Sequence, residues 1–205
     1  MGVAYDYLFL NLDAGRTAHR AVADQLQSKG PEIAAAGGEI LGQFSPQLGW
    51  NSHEAAILLR WGDGTSGRDQ VLAGLTGAAP VLETRRTQFT PTIRPSDTAR
   101  IKPGGIHVHR WFTVASHSVE EFVDLSGRAW PDFERRFDTS IFGLFAAAPD
   151  EDAAVDEVSL LLITRYADHG VWEASRDPST EAMQLFARRQ ALTRRTQACS
   201  TLLVA

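Results

Sequence analysis

Cysteine is almost absent: Cys199 stands alone in a chain of 205 residues, so no internal disulfide can form. A zinc site built on cysteines is excluded with it, and a reducing compartment is the expectation. Long apolar runs are missing too. None approaches the roughly 18 residues that cross a bilayer, and the opening MGVAYDYLFLNLD has neither the basic flank nor the cleavage pattern of a secretory signal. These absences predict a cytoplasmic protein with no membrane partner. Positive charge is scarce, since 20 Lys and Arg face 25 Asp and Glu for a net −5, which argues against nucleic acid as a partner. The chain has no GxSxG, HExxH, phosphate-binding glycine loop or dinucleotide fingerprint, so serine hydrolase, P-loop and Rossmann chemistry lack support. Apolar residues are plentiful, at 43%, enough to build a substantial core in one or two domains.

Internal similarity organises what is there. Thr84-Arg85-Arg86-Thr87-Gln88 recurs unchanged at Thr193-Arg194-Arg195-Thr196-Gln197. Upstream of each copy, AILLRWGDG resembles LLITRYADHG, pairing Arg60 with Arg165, Trp61 with Tyr166 and Asp63 with Asp168. Ile40-Leu41-Gly42-Gln43-Phe44 parallels Ile141-Phe142-Gly143-Leu144-Phe145, and Tyr5 to Leu12 parallels His107 to Val114. The matches keep one order, as a tandem repeat requires. Between the copies PTIRPSDTARIKPGG resists helix and strand alike. The expected domains are residues 1–95 and 105–205, with a linker at 96–104.

Each copy alternates strand and helix periodicity. Tyr5 to Leu12 reads as a strand, and Arg16 to Ala36 as a helix with Asp13 as its cap. A second helix is expected from about Arg68 to Arg86. In the other copy Ser118 and Glu121 form a capping box before a helix that Pro131 should break or kink, and a last helix is expected to start after Asp177-Pro178 and run to the TRRTQ segment. Closing strands follow at Gln88 to Ile93 and Ala198 to Val204. This β-α-β-β-α-β order predicts an α+β fold: two tandem ferredoxin-like repeats, each with one bare sheet face, packed as an intramolecular dimeric α+β barrel. A chain closed in this way needs no partner, and a monomeric pseudo-dimer or a homodimer are both compatible with it.

Strand alternation puts Ile106, Val108, Phe112 and Val114 toward the helices and His107, His109, Trp111 and Thr113 on the bare face. The corresponding first-copy positions are Tyr5, Tyr7, Phe9 and Asn11. Aromatic rings with polar tips suit a pocket for a planar, partly polar small molecule, or else a filled polar core. His107 and His109 are the candidate catalytic residues, because imidazole exchanges protons near neutral pH. Tyr5, Tyr7, Phe9, Asn11, Trp111 and Thr113 are the candidate substrate-binding residues. A metal would need a third ligand such as His53 or Glu54, and no spacing identifies one. Haem would need His109 as axial ligand and Arg60 or Arg165 at its propionates. The repeated Arg85, Arg86, Arg194 and Arg195 fit structural ion pairs late in helices. His19, His117 and His169 read as surface residues.

The second copy resembles the NIPSNAP family of the dimeric α+β barrel superfamily, through VSLLLITRYAD, the tryptophan of WEASR and the basic helix before a short C-terminal strand. The first copy has TSGRD in place of WEASR. The resemblance implies a superfamily that holds cofactor-free oxygenases, lactone isomerases and haem proteins. It points to a cofactor-independent oxygenase, isomerase or cyclase acting on an aromatic or polyketide-like substrate. A non-catalytic ligand- or partner-binding protein and a haem-binding protein are the alternatives.

Overall fold

A computed structural model describes residues 3–15, 17–62, 67–77, 79–149 and 156–204. The chain forms two compact units, one of residues 1–90 with 201–205, the other of residues 91–200. In the first unit the order is β1 (Ala4–Leu12), α1 (Ala18–Ala35), β2 (Gly38–Leu48), β3 (Glu54–Trp61), α2 (Arg68–Thr76) and β4 (Val81–Pro91). β1 lies antiparallel between β3 and β4, and β2 pairs with the far side of β3, so the strands run β4-β1-β3-β2. Leu8, Leu10 and Leu12 alternate onto one face with Ala55, Ile57 and Leu59, and Val22, Leu26, Ile33 and Leu72 from the helices cover it.

The second unit repeats this order as β5 (Ile106–Ala115), α3 (Val119–Arg136), β6 (Thr139–Ala147), β7 (Glu157–Tyr166), α4 (His169–Ala174), α5 (Glu181–Ala191) and β8 (Thr193–Leu203). Its strands run β8-β5-β7-β6. As alternation predicts, Ile106, Val108, Phe112 and Val114 face the helices and pack with Phe122, Leu125, Ala129 and Phe133. Both units are therefore ferredoxin-like and the fold class is α+β. No helix among the described residues is long and apolar enough to cross a membrane.

Several local expectations are corrected. Both TRRTQ segments lie in strands, β4 and β8, where their β-branched threonines suit the pleat, and not at helix ends. α2 stops at Thr76, before Gly77. α3 runs straight through Pro131, because burying Phe122, Leu125, Ala129 and Phe133 along one stripe outweighs the single backbone hydrogen bond that the proline forfeits. Ser118 makes no side-chain capping bond. α5 is capped not by Asp177 but by Thr180, whose hydroxyl accepts from the Met183 amide at 3.2 Å. An additional short helix, α4, is capped by Asp168, which accepts from the Val171 amide at 2.8 Å. Asp13 turns back onto the Gly15 amide instead of capping α1. Arg16, Asp63 and the first two residues of TSGRD lie outside the described residues.

The repeated Ile-x-Gly-x-Phe segments share a backbone device. Register shifts occur between Ile40 and Gly42 on β2 and between Ile141 and Gly143 on β6, so Leu41 and Phe142 are the extra residues of two β-bulges. The segment from Thr92 to Gly105 holds no helix or strand, yet it is tied into the second unit. Thr92 and Arg94 exchange backbone bonds with Leu144, and Arg94 pairs with Glu134 at 2.9 Å while lying over the Trp130 ring. Gly105 ends the segment at φ +70°, where a Cβ would stand 2.0 Å from the Tyr166 carbonyl oxygen.

Candidate functional site

A recess of about 460 Å³ lies between the helices and the sheet of the second unit. That size suits a small organic ligand. β7 points Leu162, Thr164 and Tyr166 into it by alternation, and β5 contributes Val108 and Arg110. Trp172 on α4 faces it together with Ser175 and Arg176 in the turn that follows, and Met183, Phe186, Ala187 and Gln190 share the facing stripe of α5. The wall is aromatic. Phe133 meets Tyr166 edge-on at 6.2 Å and Phe186 at 5.3 Å, and Tyr166 lies 6.2 Å from Trp172.

The polar part of the wall is unusual. Arg189 is 3% exposed and occupies a core position of α5 in line with Ala182 and Leu185. Its guanidinium donates to the Ser126 hydroxyl at 3.2 Å and lies over the rings of Phe186, Phe112 and Phe122 at 4.4, 4.9 and 5.1 Å. Burial, with the neighbouring Arg110 charge, pulls its pKa down to about 9. Arg110 is likewise pushed down by burial. Burial also raises the Tyr166 phenol, so it stays protonated and able to donate a hydrogen bond. The corresponding side of the first unit is resolved internally. There the fully buried Asp6 accepts from Arg68 and Arg86, each at 2.7 Å, and Arg86 reaches Asp69 at 2.6 Å.

The residues expected to act lie elsewhere in their units. His107 and His109 are fully buried on the sheet face opposite the helices. The Nε2 of His107 donates to the Lys102 carbonyl at 3.0 Å, and burial lowers its pKa. His107 also borders a second recess, of about 330 Å³, together with Ser140, Phe142 and Arg165. Burial drives His109 to about 3, leaving it neutral and a weak proton acceptor at neutral pH. Trp111 is half-buried and Thr113 buried on that same face. In the first unit Tyr5 and Tyr7 are buried, Tyr7 lies edge-on to Phe89, and the half-buried Phe9 meets Trp50 at 5.2 Å with Arg85 over its other side. Asn11 is half-buried beside Glu54 and Glu83. Of the three histidines expected at the surface, only His117 is exposed; His19 and His169 are half-buried and bonded to Ser52 and Ser200.

Among the described residues no group of three or more His, Cys, Asp and Glu is placed to hold a metal. Haem does not fit the recess either. None of its described lining residues is histidine or cysteine, the phenol of Tyr166 is held in its protonated form, and Met183 has no histidine across the recess to pair with as a second axial ligand. The arginines expected at propionates are engaged, Arg60 with Glu39 and Arg165 with Asp138.

No family model matches this chain, and no curated protein matches its sequence. Solved structures share its fold. A proposed monooxygenase from Lactobacillus acidophilus aligns over 98% of this chain and 94% of its own, with a TM-score of 0.62 and 10% identity. An anthrone oxidase-like protein covers 100% and 92%, at 0.59 and 14%. A heme-binding protein from Thermus thermophilus covers 100% and 92%, at 0.56 and 13%. Identities this low speak to fold alone.

Proposed function

We propose that the chain is a small-molecule enzyme of the cofactor-independent oxygenase type, and that its substrate, a planar aromatic molecule, occupies the recess of the second unit. The observation that carries this reading is the wall itself: Phe133, Tyr166, Trp172 and Phe186 supply aromatic faces, and Tyr166, Ser175 and the arginines supply donors. The two NIPSNAP-like segments support it, because VSLLLITRYAD contributes Leu162, Thr164 and Tyr166 to this wall and WEASR contributes Trp172, Ser175 and Arg176. Arg110 and Arg189 would stabilise negative charge that develops on a substrate oxygen as a neighbouring carbon loses its proton to water in the recess, a proton returned when the peroxide forms. For an aryl-flanked methylene, the resulting carbanion reduces dioxygen to a hydroperoxide at that carbon, and loss of one water leaves a carbonyl.

A second reading keeps His107 as a proton-transfer group, on the strength of its place beside the smaller recess. The two readings separate experimentally. Anthrone added to the protein should quench the Trp172 fluorescence, a signal missing in Trp172→Phe, and dioxygen uptake should exceed that of anthrone in buffer. Loss of that excess in Arg110→Met but not in His107→Phe favours the helix-side recess, and the reverse favours His107. Absence of both quenching and excess uptake defeats the proposal.

A further inference from the structure

Three arginines line the recess, Arg110 from β5, Arg176 from the turn after α4 and Arg189 from α5, and none of its described lining residues is a carboxylate. Arg176 is exposed and can rely on solvent. Arg189 cannot. Its partners are one hydroxyl and three phenyl faces, and its buried Nε meets no acceptor. Arg110 stands between Val108 and Phe112 on the helix-facing side of β5, and no ion pair reaches it or Arg189 among the described residues. The buried Nε1 of Trp172, in the same wall, also meets no acceptor. Burying cations without counter-charge is costly, and buried polar groups are ordinarily satisfied. The first unit shows how this chain does so elsewhere, with the carboxylate of Asp6 between two arginines.

We propose that the recess is an anion site which takes an aromatic carboxylate, its charge received by Arg110 and Arg189 and its ring by Phe133, Trp172 and Phe186. This rests on the reading of the recess as the ligand site. Guanidinium is suited to the task, because its fork matches a carboxylate and it remains charged when desolvated. Both arginines line the one recess of about 460 Å³, and Arg189 at about 9 is still protonated at neutral pH.

The test is calorimetric titration with two probes of the same shape, 2-naphthoate and its neutral analogue 2-naphthamide, against the whole chain and the variants Arg189→Met and Arg110→Met. Naphthoate is expected to bind about tenfold to a hundredfold more tightly than naphthamide, the worth of a charge-assisted hydrogen bond at a desolvated site. Each variant should cut that preference while still binding naphthamide. Equal affinities in the unaltered chain overturn the anion assignment and leave the recess as a ligand site. Binding of neither probe overturns both. A preference that survives in both variants also overturns the proposal, since the anion then sits elsewhere. Should Arg189→Met fail to fold, the half-buried Arg110→Met decides by the same ratio.

Discussion

Replacing Arg189 with methionine should make the ligand-free chain more stable, the reverse of what a buried structural residue would do. The pKa of Arg189 falls well below the ordinary guanidinium range, to about 9, chiefly by burial. At about 1.4 kcal/mol per unit, that desolvation weighs on the folded state by up to ~4–5 kcal/mol. Against it stand the hydrogen bond to Ser126, worth about 1 kcal/mol, and the three ring contacts, worth about 0.5–1 kcal/mol each. Ser126 loses little, because its hydroxyl still donates to the Phe122 carbonyl at 2.7 Å. Methionine fills similar space without charge. The net expectation is a gain of ~1–2 kcal/mol, read as a higher urea midpoint at pH 7 and a rise in Tm of about 2–8 °C. The pH dependence gives a second check. A base whose folded pKa is depressed leaves the unfolded chain holding more protons above about pH 9, so the unaltered chain gains stability as pH rises beyond that point. Measured from about pH 8.5 to 10, below the raised titration of Tyr166, the variant should lack this rise. A loss of about 1 kcal/mol or more in Arg189→Met, with a pH profile parallel to that of the unaltered chain, would refute the reasoning and make Arg189 a strut of the core.

Acid should reveal His109. Its folded pKa of about 3 lies below the ordinary 6.5, so the unfolded chain takes up protons first and stability falls as pH drops from 6.5 toward 3. The share lost between pH 7 and 5 is about 2 kcal/mol, and His109→Phe should remove it from urea curves run at the two pH values. Asp6→Asn should cost about 2–4 kcal/mol in the same assay, because Arg68 and Arg86 lose a buried partner and only Arg86 keeps another, Asp69.

The sheet faces were legible because alternation is geometry: Leu8, Leu10 and Leu12 go to the helices, and Tyr5 and Tyr7 go the other way. The cationic recess was written there as well. Arg110 interrupts the helix-facing series of Val108 and Phe112, and Arg189 falls where helical spacing from Ala182 and Leu185 asks for a hydrophobe. The histidines are the more conspicuous signal in the sequence, because their proton chemistry looks apt at the free-residue pKa. Burial then moved His109 to about 3, an effect of tertiary environment that no local pattern carries. The TRRTQ segments misled for a related reason. Arginine and glutamine suit helices, but Arg86 had a buried carboxylate to meet across the strands of β1 and β4.

The bulge at Phe142 bears on how this chain can change in length. Ile141 and Leu144 are three residues apart, yet both belong to the helix-side core, opposite Thr164 and Leu162, because one residue is spent at the bend. Substitutions along β6 act one side chain at a time. Removal of Phe142 would leave a regular ladder, with Ile141 opposite Thr164 and Leu144 opposite Leu162, two residues apart and still both on the core side, whereas straightening the strand with Phe142 kept would send Leu144 and Ala146 away from the core and Phe145 into it. The same holds for Leu41 on β2, whose removal leaves Gln43 opposite Ile57 and on the side of the His19 carbonyl to which it donates. Sequences that drift from this one can therefore lose the bulge residue and keep both faces of the strand, giving up only the bend it introduces.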